Sequence, residues 1–153
     1  MIFLTVSVLA LSFPGCGKKE NTSDRTLRVG IVTYTQDDPF INTMTEQIRE
    51  DLKLKESKDM KILVSVKNGD NDQRDQDELV EEMIAAGCDV LCVNLVDRTA
   101  PSDIIKAARQ EKIPVIFFNR EPVKEDLMQW DQLYYVGCDA KQSGEMQGEI
   151  AAD

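Results

Sequence analysis

Residues Asp89–Phe118 read DVLCVNLVDRTAPSDIIKAARQEKIPVIFF. Two apolar, β-branched runs, Asp89–Val96 and Ile113–Phe118, flank a segment that opens after Pro101 and ends before Ile113-Pro114. Neither run alternates strictly between apolar and polar residues, so each has two apolar faces. Strands of that kind belong to parallel sheets covered by helices on both sides. The intervening Ser102–Gln110 reads as the crossover helix, with Ser102 as its candidate cap. The same alternation extends outward. Leu27–Tyr34 (LRVGIVTY), Lys61–Val66 (KILVSV) and Leu133–Val136 (LYYV) are further strand-length runs. Phe40–Leu54 carries Ile41, Met44, Ile48 and Leu52 at helical spacing, and Asp75–Ala86 carries Leu79, Val80, Met83 and Ile84, with Gly87 as a stop. Ser143–Ala152 opens another helix. Strand and helix in turn, with short links, predict an α/β fold with a doubly wound parallel sheet.

With 153 residues, the chain has room for one ordinary domain. Hydrophobic residues at 42% and charged ones at 30% suit a globular body with a core. Eighteen Lys and Arg against 28 Asp and Glu leave a net charge of −10, which repels a nucleic-acid backbone. Histidine is absent, which removes Ser–His–Asp and Cys–His nucleophile pairs, the usual zinc sites and a histidine pH switch.

Met1–Phe13 (MIFLTVSVLALSF) contains no charged residue. It is shorter than the ~20 apolar residues a membrane span needs, and it has the length of a signal-peptide apolar region. Cys16 follows Gly15 at its end, and a polar tract from Gly17 to Asp24 comes next. This pattern resembles a bacterial lipoprotein signal, in which the cysteine is lipidated and becomes the mature N-terminus. Phe13 and Pro14 depart from the usual residues of that motif, and no basic residue precedes the apolar run. The reading predicts an extracytoplasmic, membrane-anchored protein with Cys16 as the lipidation site. The competing reading is a buried first strand with an incidental cysteine. Of the other cysteines, Cys88 and Cys92 would lie about 13 Å apart on one face of a continuous strand. That is too far for a disulfide, so buried free thiols are expected.

In an open parallel sheet, ligands bind beyond the carboxyl ends of the strands. Those ends carry Thr35–Phe40 (TQDDPF), Lys67–Asp70 (KNGD), Asn94–Asp97 (NLVD) and Asn119–Pro122 (NREP). Phosphate-cradling and nucleophile-elbow signatures are missing. Carboxylates, amides and one aromatic suit a neutral ligand with many hydroxyls. A carboxylate can accept from two neighbouring hydroxyls, an amide both donates and accepts, and a ring can lie against the C–H face of a pyranose. Asp38, Phe40 and Asn94 are the candidate ligand-binding residues. Asp37 or Asp38 could instead cap the following helix, Phe40 could staple onto Met44, and Asn94 could satisfy local backbone. Asp70, Asp72, Asp75 and Asp77 only superficially resemble a calcium loop, since its sixth-position glycine is absent. No metal site and no cofactor are expected.

RVGIVTYTQDDPF, NGDNDQRDQ, CVNLVD, IPVIFFNREP and YYVGCDAKQSGEMQGE, in this order, resemble the galactose/glucose-binding branch of the periplasmic sugar-binding protein superfamily. The resemblance covers Arg28 to Asp153. It implies the N-terminal portion of a two-lobed, type I substrate-binding lipoprotein that captures a hexose, galactose or glucose, for the membrane permease of an ABC transporter, with a chemoreceptor as a further partner. It implies a non-enzymatic function, with Asp38 and Asn94 bonding sugar hydroxyls and Phe40 stacking on the ring. The implied organisation is signal and linker over 1–25, the N-terminal lobe over 26–123, and the crossover with the start of a second lobe over 124–153. The family's calcium loop would lie outside this sequence. The effector domain of a sugar-responsive transcription regulator shares the fold and stands as the alternative, alongside a sugar-sensing interaction module without transport.

Overall fold

The computed structural model describes residues 25–152. The apolar leader and Cys16 lie outside the described residues. Five strands form one parallel sheet in the order β2-β1-β3-β4-β5. They are β1 (Arg25–Thr33), β2 (Met60–Asn68), β3 (Val90–Val93), β4 (Val115–Phe118) and β5 (Leu133–Val136). The helices are α1 (Pro39–Leu54), α2 (Gln73–Ala85), α3 (Ser102–Glu111), the single turn α4 (Lys124–Leu127) and α5 (Ala140–Ala152). The chain steps from β1 to one side, then crosses to place β3 on the other side of β1. That reversal is the switch point at which open α/β sheets bind ligands.

Successive strand residues face opposite sides, and here they feed two cores. Val32, Leu91, Val93, Val115, Phe117 and Leu133 pack with Val80 and Met83 of α2 and Ile104, Ile105 and Ala108 of α3. On the other face, Val29, Ile31, Ile62 and Phe118 pack with Met44, Ile48 and Leu52 of α1. The spacing read from the sequence is the spacing that is buried. Gly87 ends α2 with a positive φ of 79°. Its N–H donates to Ile84, that of Cys88 donates to Met83, and the Cys88 and Met83 sulfurs lie 3.9 Å apart. This is a Schellman stop with its apolar contact.

Several boundaries differ from the sequence reading. β3 ends at Val93 rather than Val96, because the Gln76 side chain takes over the next backbone groups. Its amide nitrogen donates to the Asn94 carbonyl at 3.0 Å, and its oxygen accepts from the Val96 N–H at 3.0 Å. α2 starts two residues earlier than the apolar spacing suggests, because Asp72 accepts from the N–H groups of Arg74 and Asp75. α5 likewise starts at Ala140, after Asp139 accepts from Lys141 and Gln142. Ser102 is not a cap. Pro101 occupies that position without a side-chain bond, and Ser102 is the first helical residue. The short α4 carries no sequence signal that stood out. β5 pairs in parallel with β4, so the sheet continues past residue 123. Trp130 packs partly buried against the α2/α3 core.

The cysteines also depart from the expected geometry. Cys88 precedes β3 and joins the α2/α3 core, whereas Cys92, inside the strand, packs on the α1 side. The one-face argument required a continuous strand through both, and the strand begins only at Val90. Cys88, Cys92 and Cys138 are all free thiols. Among the described residues, no helix is long and apolar enough to cross a membrane.

Candidate functional site

β1 delivers the chain to the carboxyl rim at Thr33, and α1 leaves it from Pro39. Proline suits the first helical position because the missing N–H would have no partner there. Asp38 caps the helix from extended backbone (φ −88°, ψ 109°). Its Oδ1 accepts from the N–H groups of Phe40 (2.8 Å) and Ile41 (3.4 Å). Its Oδ2 accepts from the Tyr34 hydroxyl at 2.7 Å. The cap reading of Asp38 is therefore correct, and a carboxylate edge still stands at the rim.

Arg120, just beyond β4, joins this group from the other side. Its guanidinium lies over the Tyr34 ring, 3.7 Å from the centroid. Nη1 also donates to the carbonyls of Leu95 (3.2 Å) and Val96 (2.8 Å). One side chain thus ties the ends of β1, β3 and β4. The Tyr34 hydrogen bond is the main influence holding the Asp38 carboxyl below its usual range. The helix N–H groups and the positive Arg120 act in the same direction, against partial desolvation. The same bond pushes the Tyr34 phenol up.

Asn94 follows β3 and is fully buried. Its N–H donates to Val32, and its Nδ2 donates to the Phe118 carbonyl at 3.0 Å. Its Oδ1 is buried with no partner among the described groups. An orphaned buried acceptor costs about 1–3 kcal/mol, so this amide retains an unmet capacity for a hydroxyl donor. Phe40 is 60% exposed and belongs to neither buried core, so most of its ring faces outward at the rim. The three residues singled out from the sequence therefore stand differently. Asp38 and Phe40 sit side by side at the start of α1. Asn94 reaches them through its neighbours, whose carbonyls hold Arg120, which in turn covers Tyr34.

A cleft along the same rim is lined by Val96, Arg98, Asn119, Arg120, Glu121 and Tyr135. Asn119 has a positive φ of 63°, its N–H bonds the Val136 carbonyl, and its own carbonyl accepts from the Tyr135 hydroxyl. Another hollow, lined by Glu46, Arg49, Lys53 and Ile62, lies on the flank between α1 and β2. It is remote from the strand ends and brings no comparable set of rim groups together. Among the described residues, no three acidic or cysteine side chains converge on a metal position.

Sequence reasoning missed Tyr34, Gln76 and Arg120. Tyr34 left a signal: an aromatic closing a strand four residues before an acid. Gln73 and Gln76 left a fainter one, since two glutamines one turn apart face the same way on a helix. Gln73 accepts from the Asp97 N–H at 2.8 Å, so both glutamines of the NDQRDQ stretch hold the NLVD loop.

The description "periplasmic binding protein domain" matches residues 29–153. The D-galactose/methyl-galactoside binding periplasmic protein MglB of Haemophilus influenzae is 35% identical over 125 residues, covering 82% of this chain and 37% of that protein. The ribose import binding protein RbsB of Bacillus subtilis is 26% identical, covering 99% of this chain and 48% of its own. The chain thus spans less than half the length of either relative. Among solved structures, a carbohydrate transporter solute binding protein from Chloroflexus aurantiacus in complex with D-glucose has a TM-score of 0.67 at 28% identity, covering 84% of this chain and 35% of that one. A solute binding protein from Clostridium phytofermentans with bound β-D-glucose has a TM-score of 0.67 at 25% identity, covering 80% and 35%. The parallel sheet, its switch point and these likenesses agree: the chain belongs to the periplasmic binding protein family and has the type I fold of its sugar-binding members.

Proposed function

We propose that this chain forms one sugar-contacting lobe of a substrate-binding lipoprotein that captures galactose or glucose for an ABC transporter. In this reading Asp38 accepts from a sugar hydroxyl, Phe40 lies against the ring, and Asn94 offers its unpaired oxygen to another hydroxyl. The rim at the β1/β3 switch point is the observation that carries the proposal. It combines a carboxylate held below its usual range with an exposed aromatic ring, and the adjoining end of β3 buries an amide oxygen that has no partner. The galactose-binding relative at 35% identity adds support.

One lobe exchanges the sugar's bonds to water for a few bonds to protein, each worth about 0.5–1.5 kcal/mol net. Tight capture then requires an opposing lobe that excludes water and covers the other ring face. The 153-residue chain alone is accordingly a weak binder. Cys16, lipidated, would hold the protein outside the cytoplasmic membrane, where a permease and a chemoreceptor can meet it. Metabolic labelling with a fatty-acid analogue tests the anchor, and Cys16→Ala should abolish the label.

Calorimetry with galactose and glucose on the full-length protein tests the sugar assignment. Asp38→Asn is the informative variant, because asparagine caps a helix as well as aspartate but lacks the charge. Affinity should fall at least about tenfold, since bonds to charged groups are worth about 1.5–3 kcal/mol, with the melt preserved. Phe40→Ala should also weaken binding without lowering the melt. No heat with either sugar, or full affinity in Asp38→Asn, would defeat the assignment.

A further inference from the structure

The carboxylate of Asp38 offers about four acceptor positions. Three are occupied within the protein: Oδ1 takes the Phe40 and Ile41 N–H groups, and Oδ2 takes the Tyr34 hydroxyl. One position on Oδ2 remains. A free carboxylate could grip two neighbouring hydroxyls. As held, it reads one.

Tyr34 decides where that one position points. The helix N–H groups hold only Oδ1, and the Ile41 bond is long at 3.4 Å, so the carboxylate plane can still rock about its last side-chain torsion, which carries both oxygens together. The Tyr34 hydroxyl removes that freedom. The ring is itself held, because Arg120 lies 3.7 Å from its centroid and is anchored to the Leu95 and Val96 carbonyls. A loosely held tyrosine could leave the carboxylate when sugar arrives and act as a competitor. A ring clamped by a guanidinium that joins the β3 and β4 ends stays in place.

We propose that Tyr34 is a positioning residue for sugar recognition: clamped by Arg120, it aims the single free acceptor position of Asp38 at one hydroxyl of the hexose. This rests on the sugar-binding reading above and deepens it. Discrimination among hexoses would then depend partly on a residue that need not touch the sugar.

The test is calorimetry on full-length wild type and Tyr34→Phe with galactose, glucose and a series of monodeoxy hexoses. Tyr34→Phe should weaken the parent sugar about tenfold, the value of one hydrogen bond to a charged group. It should also shrink, by about threefold or more, the penalty for deleting the hydroxyl whose loss costs wild type most. A merely structural role would weaken every sugar by the same factor. The acid side of the affinity profile gives a second readout. Without the phenol, Asp38 should protonate at a higher pH, so binding should fail earlier on acidification. If Tyr34→Phe folds poorly, Arg120→Gln removes the clamp instead and should show the same flattened deoxy profile. Equal or tighter binding by Tyr34→Phe, or a uniform loss across the series, overturns the proposal while leaving the sugar assignment intact. A wild type that binds no hexose overturns both.

Discussion

The two faces of the sheet are made from the same strands and end up unequally covered. On the α2/α3 side, Phe117, Leu91, Val93 and Val115 have essentially no exposure, and two helices close over them. On the α1 side one helix covers the sheet among the described residues. Phe118 is buried, but Tyr134 and Val136 of β5 stand 51% and 64% exposed. The β4 run VIFF and the β5 run LYYV look alike in sequence. Position in the sheet separates them: β4 is flanked by two strands and β5 by one. A strand's apolar content therefore says that it can be covered, not that it is.

The sharpest way to break this contrast is truncation on each face. Phe117→Ala should cost about 3–5 kcal/mol by denaturant unfolding, as for a large buried aromatic. Tyr134→Ala, on the thinly covered face, should stay within about 0.5 kcal/mol. Equal losses would mean that the faces are equivalent.

The carboxyl rim gives the next largest effect. Gln76→Leu keeps the volume but leaves the Asn94 carbonyl and the Val96 N–H without their partner. Two groups stranded in this way should cost about 2–4 kcal/mol. The loop carrying Asn94 should also exchange its amide hydrogens faster. Unchanged exchange there would show that Gln76 does not hold the loop.

The thiols report the faces individually. Burial pushes Cys92 up to about 11 from an ordinary 9.0, so near neutral pH its thiolate is about a hundredfold scarcer than in an ordinary thiol. Alkylation in the native state should therefore mark exposed Cys138 first. Cys88 and Cys92 should react only on unfolding. The raised value also sets a direction for stability. The folded state holds this proton more tightly, so its contribution is complete below about pH 9 and is lost as pH rises through about 11. The substitution Cys92→Ala should flatten that alkaline decline.

The smallest effect lies at the end of α3, where Lys112 takes a left-handed φ of 59°. The conformation costs a non-glycine residue about 1–2 kcal/mol, partly offset by the extra chain entropy that glycine loses. The variant Lys112→Gly should gain about 0.5–1 kcal/mol.

Much of the layer was legible from local pattern. The β-branched runs, the helical spacing of Ile41, Met44 and Ile48, and the stop at Gly87 depend on near neighbours, and the chain writes them at short range. Element ends were less legible, because caps such as Asp72 and Asp139 and the side-chain intrusion of Gln76 set them. At the candidate site, the residue types of Asp38, Phe40 and Asn94 could be picked out by their place at strand ends. Their states could not. Asp38 proves to be both cap and rim acid, and Asn94 proves to be fully buried.

What the sequence settled alone was the kind of layer: parallel, covered on both sides, with polar strand ends and a first helix that starts at an acid. Hydrophobic period and turn chemistry act over a few residues, so they survive in one dimension. Only the tertiary structure decided the strand order, the unequal faces and the Tyr34–Asp38–Arg120 assembly. Arg120 meets Tyr34 across the end of β3, which lies between β4 and β1, and the Leu95 and Val96 carbonyls in the loop after β3 anchor the guanidinium. Contacts between groups so far apart along the chain arise from packing, and no local periodicity encodes them.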